Sequence, residues 1–346
     1  VIWLVFGALF LGVEYAAIGD QTNVPDTAVR LNGEVLLFAM VGITLVGFLV
    51  GTVELLFLNR LFEKKSFAVK IISKFIIYNL IFTLVILINF PIAASIELDT
   101  SLWDKMVWDK YVNFFFSITH LSAMVQIMFS LLISLLYAEI RDNLGQHVLL
   151  NFFTGKYHKP VAETRIFMFA DMKASTTIAE NLGHIKYFEL LRSYYFDLSS
   201  AIVNNHGEVY QYIGDEIVIS WTIKNGLAKN YCLNCYFDMK ADLAKRKETY
   251  LKNYGVFPDF KAGLHFGEVT TGEIGALKKE IFFTGDVLNT TARLQSLCST
   301  YEVDLVMSKN LIDQLDITDK YDVQHIGEPQ LRGKNDTLDL VTVTLR

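Results

Sequence analysis

Two aspartates stand where apolar strands give out: Asp171 in RIFMFADMKAST and Asp215 in VYQYIGDEIVISW. Carboxylates held at such corners can share a pair of divalent cations. A cation pair roughly 3.5–4 Å apart is a recurrent device for moving phosphoryl groups between oxygens. Downstream, Asn289 and Arg293 in GDVLNTTAR are four apart, so a helix presents them on one face. Taken singly, each residue has a plainer reading. An Asp after a strand usually caps a helix, Gly-Asp usually makes a turn, and a lone arginine usually makes a surface ion pair.

The elements around these residues read as follows. Residues 164–170 form a buried strand, and 176–205 a long helix with Ile178, Leu182, Ile185, Phe188 and Leu191 at helical spacing. Gly183 interrupts or ends a turn of it. Residues 208–213 and 216–221 make a hairpin on Gly214-Asp215. A second helix covers 224–254, a second hairpin 260–266 with 269–274, and a short strand 281–284. Residues 285–298 turn into a helix, and the tail from Asp304 alternates short strands and helix. This order implies an α+β fold with helices on one face of a mostly antiparallel sheet.

Composition places this half behind a membrane region. Mean hydropathy is +0.33, high for a soluble chain, and the excess precedes residue 140. Four apolar stretches, 1–18, 35–58, 71–94 and 112–138, approach or exceed the ~18 residues needed to cross a bilayer. About four transmembrane helices are therefore expected, the first marginal, with a signal peptide as its minor alternative. The loop 59–74 carries Arg60, Lys64, Lys65, Lys70 and Lys74 against Glu63, which makes it cytoplasmic. Segments 19–34 and 95–111 then face outward, and everything after 139 lies inside. The domains expected are a helical bundle over 1–138, a helical linker over 139–163 and a sheet domain over 164–346. Val1 already sits within an apolar run, so an upstream piece is expected.

Other residues divide between function and packing. Glu14, Glu54 and His120 interrupt the spans; Glu14 reads as interfacial, and the other two either line a ligand site or bond between helices. Gly47 and Gly51 make a GxxxG pair that permits close helix packing. Three cysteines fit a reducing compartment, and Cys232 and Cys235 lie in a helical pattern that favours packing over metal. His184, His206 and His265 have no ligand spacing and read as structural. A net charge of −6 argues against nucleic acid as a partner.

Five motifs together, FADM at 169–172, IGDE at 213–216, GLHFGEV at 263–269, GDVLNTTAR at 285–293 and LRGK at 331–334, closely resemble the class III nucleotidyl cyclases. The resemblance runs from about Arg165 to Val343. It implies a phosphorus-oxygen lyase working as a head-to-tail homodimer with active sites between subunits. Asp171 and Asp215, with the Met172 carbonyl, would hold two Mg²⁺ or Mn²⁺ per site, acidifying the ribose 3′-hydroxyl. Amides of Lys173, Ala174, Ser175 and Thr176 would cradle phosphate. Asn289 would orient the ribose, Arg293 would meet charge developing on the α-phosphate, and Lys334 would grip the triphosphate from the partner.

Two positions depart from the family. Three residues before Gly214, where adenylate cyclases usually carry lysine and guanylate cyclases glutamate, stands Gln211. Three before Gly285, where adenylate cyclases carry aspartate or threonine, stands Phe282, with Thr284 on the same strand face. Ser175 replaces a common phenylalanine. An amide pairs with either purine edge, but Gln211 lacks the carboxylate that guanine favours, so ATP is the expected substrate. The alternatives are a guanylate cyclase using GTP, or a catalytically degenerate membrane receptor on the cyclase fold. A diguanylate cyclase is disfavoured: YIGDEIVI lacks that family's first glycine, and LNTTAR has no role there.

Overall fold

The computed structural model describes residues 33–62, 65–144, 154–277, 279–317, 320–330 and 337–346, with the single positions 5, 7, 9, 12, 29 and 151. The chain divides into two compact units, Val1–Gln146 and His147–Arg346.

The first unit is helical. Helix α1 (Gly33–Val53) runs through a π-helical turn, Glu54–Leu58, into the short helix Asn59–Phe62. Then come α2 (Phe67–Leu98), α3 (Lys105–Phe115) and α4 (Ile118–Leu144). Among the described residues, three stretches are long and apolar enough to cross a membrane: Gly33–Leu58, Phe67–Leu98 and His120–Glu139. The stretch expected over 1–18, with Glu14, lies almost wholly outside the described residues.

Two expectations for this unit need correcting. Residues 112–138 are not one helix. The Asp104 side chain accepts a bond from the Met106 amide at 2.8 Å and starts α3, which ends at Phe116 before α4 begins. The loop 59–74 is also much shorter than expected, because α2 already begins at Phe67. Lys70 and Lys74 are thus helical, paired with Glu139 at 3.3 Å and Glu54 at 2.5 Å. The Tyr78 hydroxyl donates to the second Glu54 oxygen. Apolar neighbours Val50, Leu58, Phe82, Leu131 and Leu135 surround this group. A carboxylate placed there needs its counter-charge nearby, and Glu54 therefore bonds between helices. His120 turns back locally, with Nδ1 2.9 Å from the Phe115 carbonyl. A Cβ added at Gly51 would meet nothing within 4 Å, so that glycine serves no close packing among the described residues.

In the second unit, β1 (Val161–Met172) leads to α5 (Ser175–Leu182) and α6 (His184–Asn204), separated at Gly183. The hairpin β2 (Glu208–Ile213) and β3 (Glu216–Thr222) follows. Short helical turns then give way to α7 (Tyr231–Lys245) and α8 (Lys247–Tyr254). The long strand β4 (Phe260–Ile274), β5 (Glu280–Thr284) and α9 (Asp286–Leu297) come next. The remaining strands are β6 (Leu305–Ser308), β7 (Tyr321–Gly327) and β8 (Leu340–Leu345). The sheet order is β2-β3-β1-β4-β6-β8-β7, with β5 joined to β4. Its described pairings are antiparallel except β4 with β6, so the mostly antiparallel α+β sheet expected from sequence is present.

The helices occupy both faces, not one. Ile166, Met168, Ala170 and Met172 of β1 face α5, α6 and α7, whereas Phe167 and Phe169 pack against Val218, Phe283 and Val287 on the α9 side. Burial on both faces explains why β1 reads as an unbroken apolar run without alternation. The hairpin expected over 260–274 is a single strand, since β4 pairs continuously with β1 from Phe260 to Thr271. The helix expected over 176–205 breaks at Gly183 (φ +74°), and that over 224–254 is divided at Arg246. All three cysteines are buried and free, and burial pushes the Cys232 thiol up to about 12 and Cys298 to about 11.

Gly263 sets how closely α9 approaches the sheet. A Cβ there would fall 2.4 Å from the Gln295 amide nitrogen and 2.7 Å from the Thr291 carbonyl. Both are backbone atoms of α9 and cannot yield as a side chain tip would. Gly263→Ala is therefore expected to destabilise the sheet unit by about 3 kcal/mol, read as a lowered denaturation midpoint.

Candidate active site

The site forms where β1 ends. Asp171 lies opposite Glu216 on β3 and Lys261 on β4. It points to the α9 side of the sheet, two residues beyond Phe169. The two-residue loop between β2 and β3 then returns Asp215 to the same corner. Gly214 takes φ +64° there, a conformation an L side chain resists. The Tyr195 hydroxyl of α6 lies 2.9 Å from the Gly214 carbonyl and 3.3 Å from that of Glu216, which fixes the turn from behind.

Three carboxylates thus converge. Asp171 and Asp215 are within hydrogen-bonding contact; burial and then the Asp215 charge push Asp171 up to about 6, against a weaker opposing pull from Lys261. Burial, followed by Asp171 and Asp215, pushes Glu216 up to about 7. Burial, and after it the Asp215 charge, also raises the phenols of Tyr187 and Tyr195. No lysine or arginine among the described residues makes an ion pair with Asp171, Asp215 or Glu216. The Asp215 Oδ2 atom is buried without a hydrogen-bond partner. Hard oxygen donors, a buried orphan oxygen and no ion-paired lysine or arginine among the described residues fit a hard divalent metal ion.

The other expected residues separate into groups. Lys173 is a correction: its amide donates to the Asp259 carbonyl at 2.8 Å, so it is not free for phosphate. Its ammonium is also committed, lying 2.8 Å from Asp259 and 2.5 Å from Asp304. Lys240 joins the same network at 2.6 and 3.1 Å. Burial would raise Asp259, but Lys173 and Lys240 outweigh it and hold the carboxyl below its usual range. Ala174 takes φ 54° as the cap of α5, so Ser175 and Thr176 open that helix. Met172 closes β1 opposite Phe260, with its side chain in the core.

On α9, Asn289 is exposed and Arg293 half-buried, while Val287, Thr290, Thr291, Leu294 and Gln295 are buried. Among the described residues, no hydrogen bond or ion pair joins either residue to Asp171 or Asp215. Gln211 is exposed on β2, just past a bulge, and Phe282 and Thr284 are exposed on one face of β5. Between them the Tyr210 and Phe283 rings lie 4.7 Å apart, and the Phe283 amide donates to the Tyr210 hydroxyl at 3.3 Å. The strands bearing Gln211 and Phe282 are thereby joined. Lys334 lies outside the described residues.

Sequence reasoning missed Gln295, whose Nε2 donates to Asp171 Oδ2 at 3.2 Å, and also Glu216 and Tyr195. The signal for Gln295 was present: a polar residue four after Thr291, on the apolar stripe of its helix. Tyr195 gave none, being one tyrosine among several on α6.

An α+β sheet with paired acids at a strand end and an Asn/Arg helix beside it defines a class of phosphoryl-transfer domain. The family described as the adenylate and guanylate cyclase catalytic domain matches residues 157–344, and the chain belongs to that family. Adenylate cyclase 2 of Rhizobium meliloti (strain 1021) is 33% identical over 206 residues, covering 60% of this chain and 57% of the relative. Human retinal guanylyl cyclase 2 is 28% identical over 177 residues, 48% of this chain and 15% of its own length. A bacterial light-regulated adenylyl cyclase structure aligns at 23% identity and TM-score 0.48, over 54% of this chain and 53% of that one. The chain thus spans little more than half of the first relative.

Without metal, Asp171 and Glu216 bind protons more tightly when folded than the ~4 of a free carboxyl. The folded form then holds more protons than the unfolded one between pH ~4 and ~7, so stability falls as pH rises through that window. In chelator, the melting temperature is expected to drop from pH 5 to pH 8. Added Mg²⁺ or Mn²⁺ should restore it more at pH 8 than at pH 5.

Proposed function

We propose that the protein is a membrane-anchored adenylate cyclase, converting ATP to 3′,5′-cyclic AMP and pyrophosphate at sites shared by two copies of the chain. The observation that carries this reading is the Asp171–Asp215 contact with its buried, unpartnered Asp215 oxygen, beside a helix that turns Asn289 and Arg293 outward. The proposed organisation is a helical membrane unit over 1–138, a linker over 139–163 and a catalytic domain over 164–346, with α4 running on to Leu144 and β1 already beginning at Val161. The apolar stretches in the first unit support anchoring, and the Arg and Lys excess at 59–74 supports placing the catalytic domain on the cytoplasmic side.

Asp171 and Asp215, with the Met172 carbonyl, hold two Mg²⁺ or Mn²⁺. When bound, these ions acidify the ribose 3′-hydroxyl and neutralise triphosphate oxygens. Asn289 of the partner orients the ribose, and its Arg293 meets negative charge as it grows on the α-phosphate. The nucleophile belongs to the substrate, so no covalent enzyme adduct forms. Ala174, Ser175 and Thr176 at the start of α5 receive phosphate, while Lys173 braces the loop through Asp259 and Asp304. Lys334 of the partner contacts the triphosphate. Gln211, Phe282 and Thr284 surround the purine: Phe282 offers an exposed apolar face, Thr284 a hydroxyl, and Gln211 an amide without the carboxylate suited to guanine.

Purified protein given ATP or GTP in Mg²⁺ and in Mn²⁺ is expected to form cyclic AMP in preference to cyclic GMP. A preference for GTP would make it a guanylate cyclase, and turnover of neither would make it a degenerate receptor. The shared site has its own test. Asp171→Ala and Arg293→Ala should each lower kcat by at least ~10³-fold alone, yet recover activity when coexpressed. Stable mixed dimers without recovery would refute sharing.

A further inference from the structure

Helix α9 is gripped on one side and presented on the other. On the gripped side, Gln295 is 7% exposed and its amide holds Asp171 at 3.2 Å. The backbone at Gln295 also rests directly on β4, where even one methyl group at Gly263 would come within 2.4 Å of it. On the presented side are Asn289 and Arg293. At ~100° per residue, Arg293 and Gln295 point ~160° apart around the helix axis. The helix is 12 residues long, a rod of ~18 Å with no clearance against the sheet.

We infer that α9 mechanically couples the two active sites of the dimer: Gln295 orients the metal-holding Asp171 of its own chain while Arg293 serves the site of the partner. This rests on the shared-site reading above. A triphosphate drawing on Arg293 in one site shifts the backbone that carries Gln295, and hence the donor that aims Asp171 in the other. A neutral amide suits this role, because it orients a carboxylate without cancelling the charge that a cation needs. Lysine or arginine at the same position would compete with the metal. Gln295 is a positioning residue in this scheme and touches no reacting atom.

The test is calorimetric titration of the full chain in detergent with Mn²⁺ and a non-cyclisable ATP analogue, which reads binding and not turnover. The wild-type dimer should bind in two steps whose affinities differ about tenfold, the scale of one hydrogen bond to a charged group. Gln295→Met keeps the volume and helix preference but removes the donor. It should bring the steps within about twofold of each other, with two sites per dimer retained. Equal steps in the wild type, or an unchanged gap in Gln295→Met, would overturn the coupling. If Gln295→Met does not form dimers, Gln295→Leu, which lacks the donor and adds no charge, decides by the same readout. Recovery of activity in mixed Asp171→Ala and Arg293→Ala dimers separates the two ideas. With recovery, equal steps sink only the coupling; without it, the shared site fails and the coupling with it.

Discussion

Two carboxylates held in contact repel each other, and much of the catalytic unit is arranged to keep Asp171 and Asp215 together. Asp171 is fixed by the last residues of a strand buried on both faces. Asp215 is fixed by a two-residue turn whose positive φ glycine adopts readily, and that Tyr195 braces. Neither acid has an arginine or lysine in ion-pair contact among the described residues. The fold instead supplies one neutral donor, Gln295, and leaves an oxygen of Asp215 without a partner. Such a site stores unfavourable electrostatics that a bound dication would relieve, which would link metal affinity to fold stability.

How much of this was legible in the sequence depended on how local each signal was. Gly214-Asp215 between two apolar runs announced its hairpin, because turn chemistry is local. The break at Gly183 was legible for the same reason. The end of a helix at Arg246 was not, since no glycine or proline marks it. Gly267 misled. Followed by Glu268 it looked like a turn, yet it lies within β4, where a Cβ would come 3.1 Å from Val287 of α9. A glycine needed for close packing and one needed for a turn look the same in one dimension. The position of α9 on the second sheet face was likewise a tertiary fact. Its apolar stripe showed that it packs, but not on which side.

In the site, the acids and the Asn/Arg pair were read from motifs, whereas their supports were not. Lys173 shows the limit well. It sits in the loop expected from sequence to bind phosphate, but Asp259, far along the chain, takes both its amide and its ammonium. The membrane unit repeats the lesson. Hydropathy located the apolar stretches, but Lys70 and Lys74, counted as loop charges, are helical and matched by Glu139 and Glu54.

The buried thiols have a practical side. With Cys232, Cys235 and Cys298 enclosed and two of them titrating near 11 or 12, almost no thiolate exists at neutral pH. Maleimides and mild oxidants therefore find no ready target among these three while the sheet unit is folded. A cysteine introduced at an exposed position would accept a fluorophore or spin label on its own, without first stripping the native ones from the core.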